Sequence, residues 1–461
     1  MSRSRLRRAP VAHPFNRPPS FARAMAATIR RLADLSPAMA GQSVVVGGWL
    51  EDVRHVGGIA FGLLRLRDGT VQVTAKKAAA GEAFRVLTAA NRESVVRVRG
   101  TVVKTAEARL GFEIAPAEIE VLAAAETPLP LGVVDKVGVE FDTRLDNRFL
   151  DLRKRKVQAI FRVRALLCRG LRDHLASRGF LEVQTPKLAG AGAEGGATLF
   201  ETDYFGRRAY LSQSPQLYKQ SLMATGFDRV FEIGPAFRAE PSDTVRHLTE
   251  STMLDGEVAW IDSQEDVLRE LEDAVAAAIR FARDHGKAEF EALDLEPKVP
   301  ATPVPRVPYG EALEILRDAG KRVRDGEDID TEGEKVLAKA MAERGHEMFY
   351  IVDYPSAIKP FYVMAKDDDP DSTHSFDLEY RGDELASGGQ REHRHGRLVA
   401  RMRELGLDLT SFEFYLKPFR YGMPPHGGWG FGVDRLVWKL LDLANIREAV
   451  LFPRDRHRLV P

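Results

Sequence analysis

The stretch FEIGPAFRAEPSDTVRHLTESTMLDGEVAW, residues 231–260, reads as two β-strands joined by a polar loop. Its loop, residues 241–247, is rich in turn-forming residues. Alternate residues of an extended segment point the same way, so Arg238 and Glu240 share a face. A guanidinium can bind a phosphate through two hydrogen bonds, and a carboxylate can accept one from an exocyclic amine. The stretch predicts a nucleoside triphosphate site without a P-loop; the alternative is a surface hairpin rich in ion pairs.

Composition narrows the protein class without assigning a function. The chain has 461 residues, enough for two or three domains, and its 67 basic residues balance 67 acidic ones. From a net charge of zero, no global attraction to nucleic acid can be inferred, so any such site must be a local patch. The single cysteine, Cys168, excludes a disulfide framework and fits a reducing cytoplasm. No apolar run is long enough to predict a membrane span.

The N-terminal part predicts an extension followed by a small β-barrel. Residues 1–40 are expected to form a partly disordered extension, with a start at Met25, a targeting peptide or an RNA-touching arm as alternatives. Residues 41–125 contain five strand-like runs, with one helical stretch between the third and the fourth. That order is typical of an OB-fold, which commonly binds single-stranded nucleic acid on one face. Phe61 and Gln72 are predicted on neighbouring strands of that face; the alternative is a core Phe61 and a solvated Gln72.

The rest of the chain predicts a larger α+β domain. Residues 126–156, which include Pro128 and Pro130, are expected to form a stiffened hinge, and residues 157–461 the second domain. Its first helix and the strand ending at Pro186 predict a packing or dimer surface. The helical stretch 262–286 reads as a linker, and residues 290–345 read as helices with little chemistry.

Two later stretches carry chemistry. Asp377 and Glu384 flank Arg381, and two carboxylates sharing a site indicate magnesium. Ser387 opens a Ser-Gly-Gly run followed by Arg391; the alternative is an ordinary turn with a solvated arginine.

The second of these stretches lies near the C-terminus. Four glycines at 427, 428, 430 and 432 precede a predicted helix with Arg435 in its first turn, where the helix dipole favours anions. No GxxxxGK[ST] occurs, and these glycines do not form G-x-G-x-x-G on a βαβ unit, so P-loop and Rossmann folds are excluded.

Taken together, three stretches resemble the three motifs of class II aminoacyl-tRNA synthetases. They are the helix and strand ending QTPK at residue 187, the FRAE and RHLTE segments within 237–250, and GGWGFGVDRL at 427–436. The OB-like domain, QSPQLYKQ at 213–220 and SGGQREH at 387–393 narrow the resemblance to aspartyl-tRNA synthetases of the archaeal and eukaryotic form. The resemblance implies an OB-fold barrel followed by a catalytic domain with an antiparallel sheet flanked by helices. It also implies a homodimer built around the helix and strand of residues 157–187.

The resemblance implies an ATP site that also holds Mg²⁺. The residues implied in the nucleotide and metal site are Arg238 for the α-phosphate, Glu240 for the adenine amine, His247 for the phosphates, Arg435 for the γ-phosphate and adenine, and Asp377, Glu384 and Ser387 for magnesium. Of these, Arg238, Arg435 and Glu384 are implied in catalysis.

The resemblance also implies the sites for the other two substrates. The residues implied for L-aspartate are Lys219 and Arg391 at its side-chain carboxylate, Asp255, Glu194 and Gln216 at its ammonium group, and Ser387 near the reacting carboxylate. The residues implied for the anticodon of tRNA(Asp) are Phe61, Gln72 and Glu113 at the middle base, and Glu51 and Arg109 at the third base. Glu51 departs from both patterns that the family has at its position, which leaves tRNA(Asn) open as a second substrate.

The sequence departs from the family pattern at two further positions. Three other functions compete with the one that the resemblance implies. Asp434 stands where a glutamate is usual, and Ser251 where many members stack an aromatic ring on adenine. An asparaginyl-tRNA synthetase is the nearest rival, and Lys219 argues against it, because a neutral amide gains little from an ammonium partner. A tRNA-free asparagine synthetase would lack the barrel, and a catalytically inactive regulatory relative would not need the intact set of charged residues.

Overall fold

The computed structural model describes residues 28–133, 138–190, 199–324 and 326–461, which form two compact units divided between Pro130 and Leu131. The predicted class is confirmed, since a barrel precedes an α+β unit. None of the helices in the described ranges combines the length and the apolar character that crossing a membrane requires.

The first unit is a closed five-stranded barrel with strand order β1-β2-β3-β5-β4. Its elements are β1 (Ser43–Val56), β2 (Ile59–Arg65), β3 (Thr70–Lys76), α1 (Gly81–Ala89), β4 (Val95–Lys104) and β5 (Phe112–Ala123). Side chains alternate between the two faces of each strand, so Ala60 and Leu64 of β2 are buried, as are Val71 and Val73 of β3. The predicted helix between the third and fourth strands is confirmed.

The second unit is built on an eight-stranded sheet with order β12-β13-β14-β15-β16-β11-β10-β6. Its pairs are antiparallel except at the two ends, where β12 with β13 and β6 with β10 run parallel. The strands of this sheet are β6 (Leu181–Glu182), β10 (Arg229–Phe237), β11 (Glu250–Ala259), β12 (Arg306–Pro308), β13 (Met348–Val352), β14 (Ser375–Tyr380), β15 (Asp383–Gln390) and β16 (His426–Gly432). A small separate sheet contains β7 (Leu188–Ala189), β8 (Glu201–Tyr204) and β9 (Arg207–Leu211).

Eleven α-helices of the described residues belong to the second unit. They are α2 (Phe141–Asp146), α3 (Arg148–Asp151), α4 (Arg155–Ser177), α5 (Gln216–Leu222), α6 (Gln264–His285), α7 (Lys287–Leu293), α8 (Tyr309–Asp318), α9 (Thr331–Glu343), α10 (His395–Glu404), α11 (Glu413–Arg420) and α12 (Val433–Leu440). The stretch 231–260 forms β10 and β11, which pair antiparallel from Arg229 opposite Val258 to Phe237 opposite Glu250. The two strands and the loop predicted from this stretch are therefore observed.

Helix α6 is a core helix, so its interpretation as a linker is wrong. It packs against α4 so closely that a Cβ on Gly170 would lie 2.8 Å from the Cα of Ala278. Its apolar face, which includes Val267 and Leu271, is buried in the main core. The apolar face of α4 is thus buried within the chain, and it does not by itself require a second subunit.

The segments around the main sheet also differ from the sequence-based expectation. Within residues 290–345, β12 forms an edge of the sheet, and α8 and α9 enclose a core of their own that includes Leu316 and Leu337. Within the expected hinge, Arg148 is buried and its guanidinium donates hydrogen bonds to the carbonyl oxygens of Val450 and Leu451. That part of the hinge therefore packs inside the second unit.

Candidate active site

A cavity of about 230 Å³ lies against strands β11, β15 and β16 of the large sheet. Where these strands meet, the backbone leaves no room for side chains: a Cβ on Gly388 would lie 2.4 Å from the carbonyl oxygen of Gly428. Gly430 and Gly432 line the same cavity. Its floor is therefore largely backbone, and the charged groups reach it from helices, loops and strand ends.

Behind Asp255, which lines one end of the cavity, a buried ammonium is held in place by three hydrogen-bonding or ionic partners. Lys219 of α5 is 2% exposed, and its Nζ lies 2.8 Å from Oδ1 of Asp255 and 2.7 Å from the carbonyl oxygen of Trp429. Oε2 of Glu257 is 3.6 Å from the same nitrogen. Asp255 and Glu257 are alternate residues of β11, so both carboxylates face α5.

Glu257 also holds the second cation of this end, and no role was predicted for it from the sequence. Its Oε1 accepts a hydrogen bond from Nε of Arg391 at 3.0 Å, and its Oε2 accepts one from Nη2 at 3.4 Å. Burial opposes the charged form of Arg391, but Glu257, together with Tyr362 and Tyr415, more than offsets it, so the pKa of the guanidinium is raised. The Asp255-x-Glu257 spacing was the available signal, since it places both carboxylates on one face of a strand.

The remaining residues predicted for L-aspartate are placed as follows. Gln216 lines the cavity at the start of α5, and its Nε2 donates to Oε1 of Gln220 at 3.0 Å. Ser387 lines the cavity from β15. Glu194 lies outside the described residues.

The other end of the cavity collects the residues predicted for ATP. Arg238, Glu240, His247 and Arg435 all line it. His247 has Nδ1 2.6 Å from Oγ1 of Thr244 and Nε2 3.5 Å from Oε2 of Glu240. Burial lowers the pKa of His247, although Glu240 acts in the opposite direction.

Carboxylates predicted to bind magnesium lie beside this end. Glu384 lines the cavity, and burial together with the charge of Asp377 raises its pKa, although 37% of its side chain is exposed. Arg435 donates from Nη1 to the carbonyl oxygen of Glu384 at 2.5 Å. Asp377 stands directly across from Ser387 in the pairing of β14 with β15.

Only one of the two carboxylate oxygens of Asp377 has a hydrogen-bond partner among the described residues. Nζ of Lys359 donates to its Oδ2 at 2.7 Å, while its buried Oδ1 has no hydrogen-bond partner among the described residues. Across the described ranges, no three His, Cys, Asp or Glu side chains are arranged to hold a metal ion by themselves. The donor set instead fits a cation held by one or two carboxylates and completed by phosphate oxygens and water.

Two further groups shape this end of the cavity and were not predicted. Arg246 lines it and donates from Nη1 to Oε2 of Glu334 at 2.8 Å, so α9 contributes to the site. Burial raises the pKa of Glu334 to about 7, against the opposing effect of Arg246. Asp434, the unusual residue before Arg435, is buried, pairs with Arg164 and accepts a hydrogen bond from the backbone N–H of Thr252 at 2.7 Å.

On the barrel, three of the residues predicted to contact the anticodon lie together. Oε2 of Glu113 accepts hydrogen bonds from Nε2 of Gln72 at 2.8 Å and from Oγ1 of Thr74 at 2.5 Å. Phe61 is half-buried and stands across from Thr74 in the pairing of β2 with β3. These groups form one face with an aromatic ring beside a polar cluster.

Glu51 and Arg109 are not paired with each other. Oε2 of Glu51 accepts a hydrogen bond from Nη1 of Arg65 at 3.3 Å, and Arg109 is exposed. Burial raises the pKa of Glu51, with Arg65 opposing it. Glu51 is therefore paired with Arg65 of the neighbouring strand and not with Arg109, the other residue predicted for the third base.

Comparison with known families covers nearly the whole chain. Residues 140–456 match the family model described as tRNA synthetases class II (D, K and N). Residues 44–122 match the model described as OB-fold nucleic acid binding domain.

The most similar relatives include three archaeal proteins with two kinds of name. The aspartate–tRNA(Asp) ligase of Pyrococcus horikoshii is 51% identical over 430 residues, covering 93% of this chain and 98% of the relative. That of Thermococcus kodakarensis is 52% identical, with the same coverages. The aspartate–tRNA(Asp/Asn) ligase of Methanopyrus kandleri is 48% identical, again over 93% of this chain and 98% of the relative.

Two solved structures, one of an asparaginyl-tRNA synthetase and one of an aspartyl tRNA synthetase, are similar to this chain in fold. The asparaginyl-tRNA synthetase from Pyrococcus horikoshii, complexed with asparaginyl-adenylate, superposes with a TM-score of 0.89 at 35% identity, covering 95% of this chain and 100% of that one. The aspartyl tRNA synthetase from Entamoeba histolytica has a TM-score of 0.83 at 32% identity, covering 94% and 92%.

Proposed function

The chain belongs to the class II tRNA synthetases of the D, K and N group, and we propose that it is an aspartate–tRNA ligase. In this function it activates L-aspartate with ATP and transfers the aspartyl group to the 3′ end of tRNA(Asp). The observation that carries the choice of amino acid is a pair of buried cations: Arg391, which lines the cavity, and Lys219, which lies behind the lining residue Asp255.

Charge balance supports an acidic amino acid at this end. Two cations, Lys219 and Arg391, are matched there by two anions, Asp255 and Glu257. An L-aspartate side chain brings one negative charge for the two cations, and its ammonium group brings one positive charge for Asp255. The balance of charge is therefore kept when L-aspartate binds. The side chain of asparagine ends in a neutral amide, which would give the ammonium of Lys219 no new anionic partner.

The reaction needs no nucleophile from the protein. The α-carboxylate of L-aspartate attacks the α-phosphorus of ATP in line, the bond to the β-phosphate oxygen breaks, and aspartyl-adenylate and pyrophosphate form. A terminal ribose hydroxyl of the tRNA then attacks the activated carbonyl carbon, and AMP leaves. Both steps depend on positioning and on stabilisation of developing charge, which are the roles that fixed arginines perform well.

Within this function, Arg238 holds the α-phosphate, and Arg435 holds the γ-phosphate and lies against adenine. Glu240 accepts a hydrogen bond from the adenine amine, and His247 contacts the phosphates. All four line the same end of the cavity, which supports these roles. Because Ser251 also lines the cavity there, it supplies a hydroxyl where an aromatic ring would otherwise stack.

Glu384 and Ser387, with Asp377 behind them, are the residues that would hold Mg²⁺ in this site. The unpaired Oδ1 of Asp377 and the cavity position of Glu384 support this assignment. When bound, the ion would neutralise charge on the phosphates of ATP. Arg435 keeps Glu384 in place through its carbonyl oxygen, so the same arginine orders both the nucleotide and the metal side of the site.

For the tRNA, the anticodon partner is the face of the barrel that contains Phe61, Gln72 and Glu113. The ring can stack on a base, and the Gln72 and Glu113 pair offers donors and acceptors to a base edge. Glu51 and Arg109 are assigned to the third base. tRNA(Asp) is the proposed substrate, and tRNA(Asn) is tested below.

We propose a homodimer from the exposed edge of strand β6, and not from the apolar face of α4 that first suggested one. Strand β6 ends the large sheet, and its outer edge has no strand paired with it among the described residues. Leu181 of this strand is 47% exposed. An edge strand with an exposed apolar residue is a natural site for a second copy.

The cytoplasmic location expected from the single cysteine stays a prediction.

Pyrophosphate exchange tests the function directly. Aspartate-dependent exchange is expected, with asparagine inactive at equal concentration. The Lys219→Met variant should lose aspartate-dependent exchange while ATP still raises its melting temperature, because only the amino-acid end is changed. Exchange driven by asparagine would favour an asparaginyl enzyme, and exchange with neither amino acid would contradict both.

A further inference from the structure

A chain of four buried polar side chains leads from the backbone to the cavity next to Lys219. Gln216, Gln220, Tyr415 and His426 belong to α5, α11 and β16, and all four are at most 5% exposed. Tyr415 donates from its hydroxyl to Oε1 of Gln220 at 3.1 Å. Of these four residues, which all belong to the described ranges, only Gln216 lines the cavity.

In this series of four side chains, the direction of every hydrogen bond is determined by His426, at the end away from the cavity. Nδ1 of His426 lies 2.9 Å from the carbonyl oxygen of Pro424, and a carbonyl can only accept, so Nδ1 carries the proton. Burial lowers the pKa of His426 to about 4, so the ring is neutral at pH 7 and Nε2 is an acceptor. Nε2 of Gln220, 3.1 Å away, must therefore be the donor to it.

The amide of Gln220 then determines the amide of Gln216. With its NH₂ group turned to His426, Gln220 presents Oε1 to both Tyr415 and Gln216. Gln216 can meet that oxygen only with its own NH₂ group, at 3.0 Å. Its carbonyl oxygen is consequently the end of the amide that is left for a ligand in the cavity.

We propose that Gln220 and His426 are positioning residues that present the carbonyl oxygen of Gln216 to the ammonium group of the amino-acid substrate. This inference rests on the proposed function and deepens it, because it explains why this amide offers an acceptor to a cation rather than a donor. A Gln216 side chain free to rotate by 180° would present its NH₂ group instead, and that group would repel an ammonium.

Ligand pairs that differ only in the ammonium group test the proposal. Succinate has both carboxylates of L-aspartate and no ammonium. In the Gln220→Leu variant, the KM for L-aspartate in pyrophosphate exchange should rise about 10- to 100-fold, the loss expected for one hydrogen bond to a charged group. The inhibition constant of succinate and the KM for ATP should stay within about twofold of wild type, since neither ligand has the group that Gln216 receives. Equal weakening of aspartate and succinate, or no weakening of aspartate, would overturn the proposal.

Tyr415→Phe is the matched control. It removes one donor to Gln220 but leaves the direction set by His426, so its aspartate KM should change by less than about threefold. A change as large as that of Gln220→Leu would mean that packing, and not amide direction, sets the affinity.

The direction of the chain can also be measured without any substrate. In ¹⁵N-histidine-labelled wild type, with the His426 signals identified by their loss in His426→Gln, Nδ1 should be protonated and Nε2 unprotonated at pH 7. The opposite tautomer, or a charged ring, would overturn the proposal even if exchange depends on aspartate. Absence of aspartate-dependent exchange with the expected tautomer would instead reject the proposed function alone.

Discussion

The guanidinium of Arg391 reaches both oxygens of Glu257, at 3.0 Å from Nε and 3.4 Å from Nη2, in a site where each residue is at most 2% exposed. Glu257 also lies within 3.6 Å of the ammonium of Lys219. One carboxylate therefore spaces the two cations proposed to receive the aspartate side chain. Its length matters as much as its charge.

Shortening Glu257 by one methylene should weaken aspartate binding while keeping the negative charge. In Glu257→Asp the carboxylate cannot reach both cations, and the KM for L-aspartate in pyrophosphate exchange should rise about 10- to 100-fold, with the KM for ATP unchanged. Glu272→Asp is the control, because Glu272 is buried and pairs with Arg306 away from the cavity. An aspartate KM equal to wild type in Glu257→Asp would remove Glu257 from the site.

Removing either arginine at the nucleotide end should nearly abolish adenylate formation. Arg238→Ala and Arg435→Ala each delete a charge-assisted phosphate contact, and kcat for pyrophosphate exchange should fall about 10²- to 10³-fold. Arg420→Ala, which removes the contacts of a partly exposed guanidinium with Glu413 and His395, should leave kcat unchanged. Near-normal exchange in either of the first two variants would contradict the assignment, provided that its melting temperature matches wild type.

Stability should depend on pH through Glu334. Its pKa rises from 4.5 to about 7 on folding, so the folded chain keeps a proton that the unfolded chain has lost. The stabilisation is complete below about pH 4.5 and is lost as the pH rises through about 7. Between pH 5 and pH 8, the melting temperature of Glu334→Gln should therefore fall less than that of wild type. Glu311→Gln, at an exposed position, should follow the wild-type slope; parallel slopes for all three proteins would count against the raised pKa.

The choice of tRNA should depend on Glu51. A carboxylate can accept a hydrogen bond from N4 of cytosine, the third anticodon base of tRNA(Asp), which uracil in tRNA(Asn) cannot donate. Wild type should charge tRNA(Asp) with a kcat/KM about tenfold higher, corresponding to about 1–3 kcal/mol per direct contact. Glu51→Ala should charge the two tRNAs equally, and Glu118→Ala, at an exposed position of β5, should keep the preference. Equal charging by wild type would show that the pair with Arg65 occupies Glu51 fully.

Sequence reasoning located the elements that have local signatures. The barrel strands alternate buried and exposed residues, and the predicted helix near Val433 begins at that residue. Helix α6 was misread because a charged, periodic helix looks the same in sequence whether its apolar stripe meets another helix of the same chain or solvent. The contact of Gly170 with Ala278, which separates the two cases, joins positions more than a hundred residues apart.

The residues of the candidate active site could also be predicted only where they stand in a local sequence motif. Lys219, Asp255, Arg391 and Arg435 could be assigned because they stand in recognisable motifs. Gln220 stands in the same motif as Lys219, and Glu257 lies two residues after Asp255, yet their partners, His426 and Arg391, come from positions far along the chain. Glu334 lies in a segment without any recognised motif, and only the fold brings it to Arg246.

The backbone floor of the cavity has a consequence for how such an enzyme can change its substrate. Because Gly388, Gly430 and Gly432 contribute no side chains, the charged groups of the cavity are supplied from its periphery. The groups proposed to bind the amino acid come from α5, β11 and the end of β15, and the groups proposed to bind the nucleotide come from the loop after β10 and from α12. The two halves can therefore diverge separately: replacement of a few side chains on α5 and β11 can redirect the enzyme to another amino acid while the ATP chemistry is inherited intact.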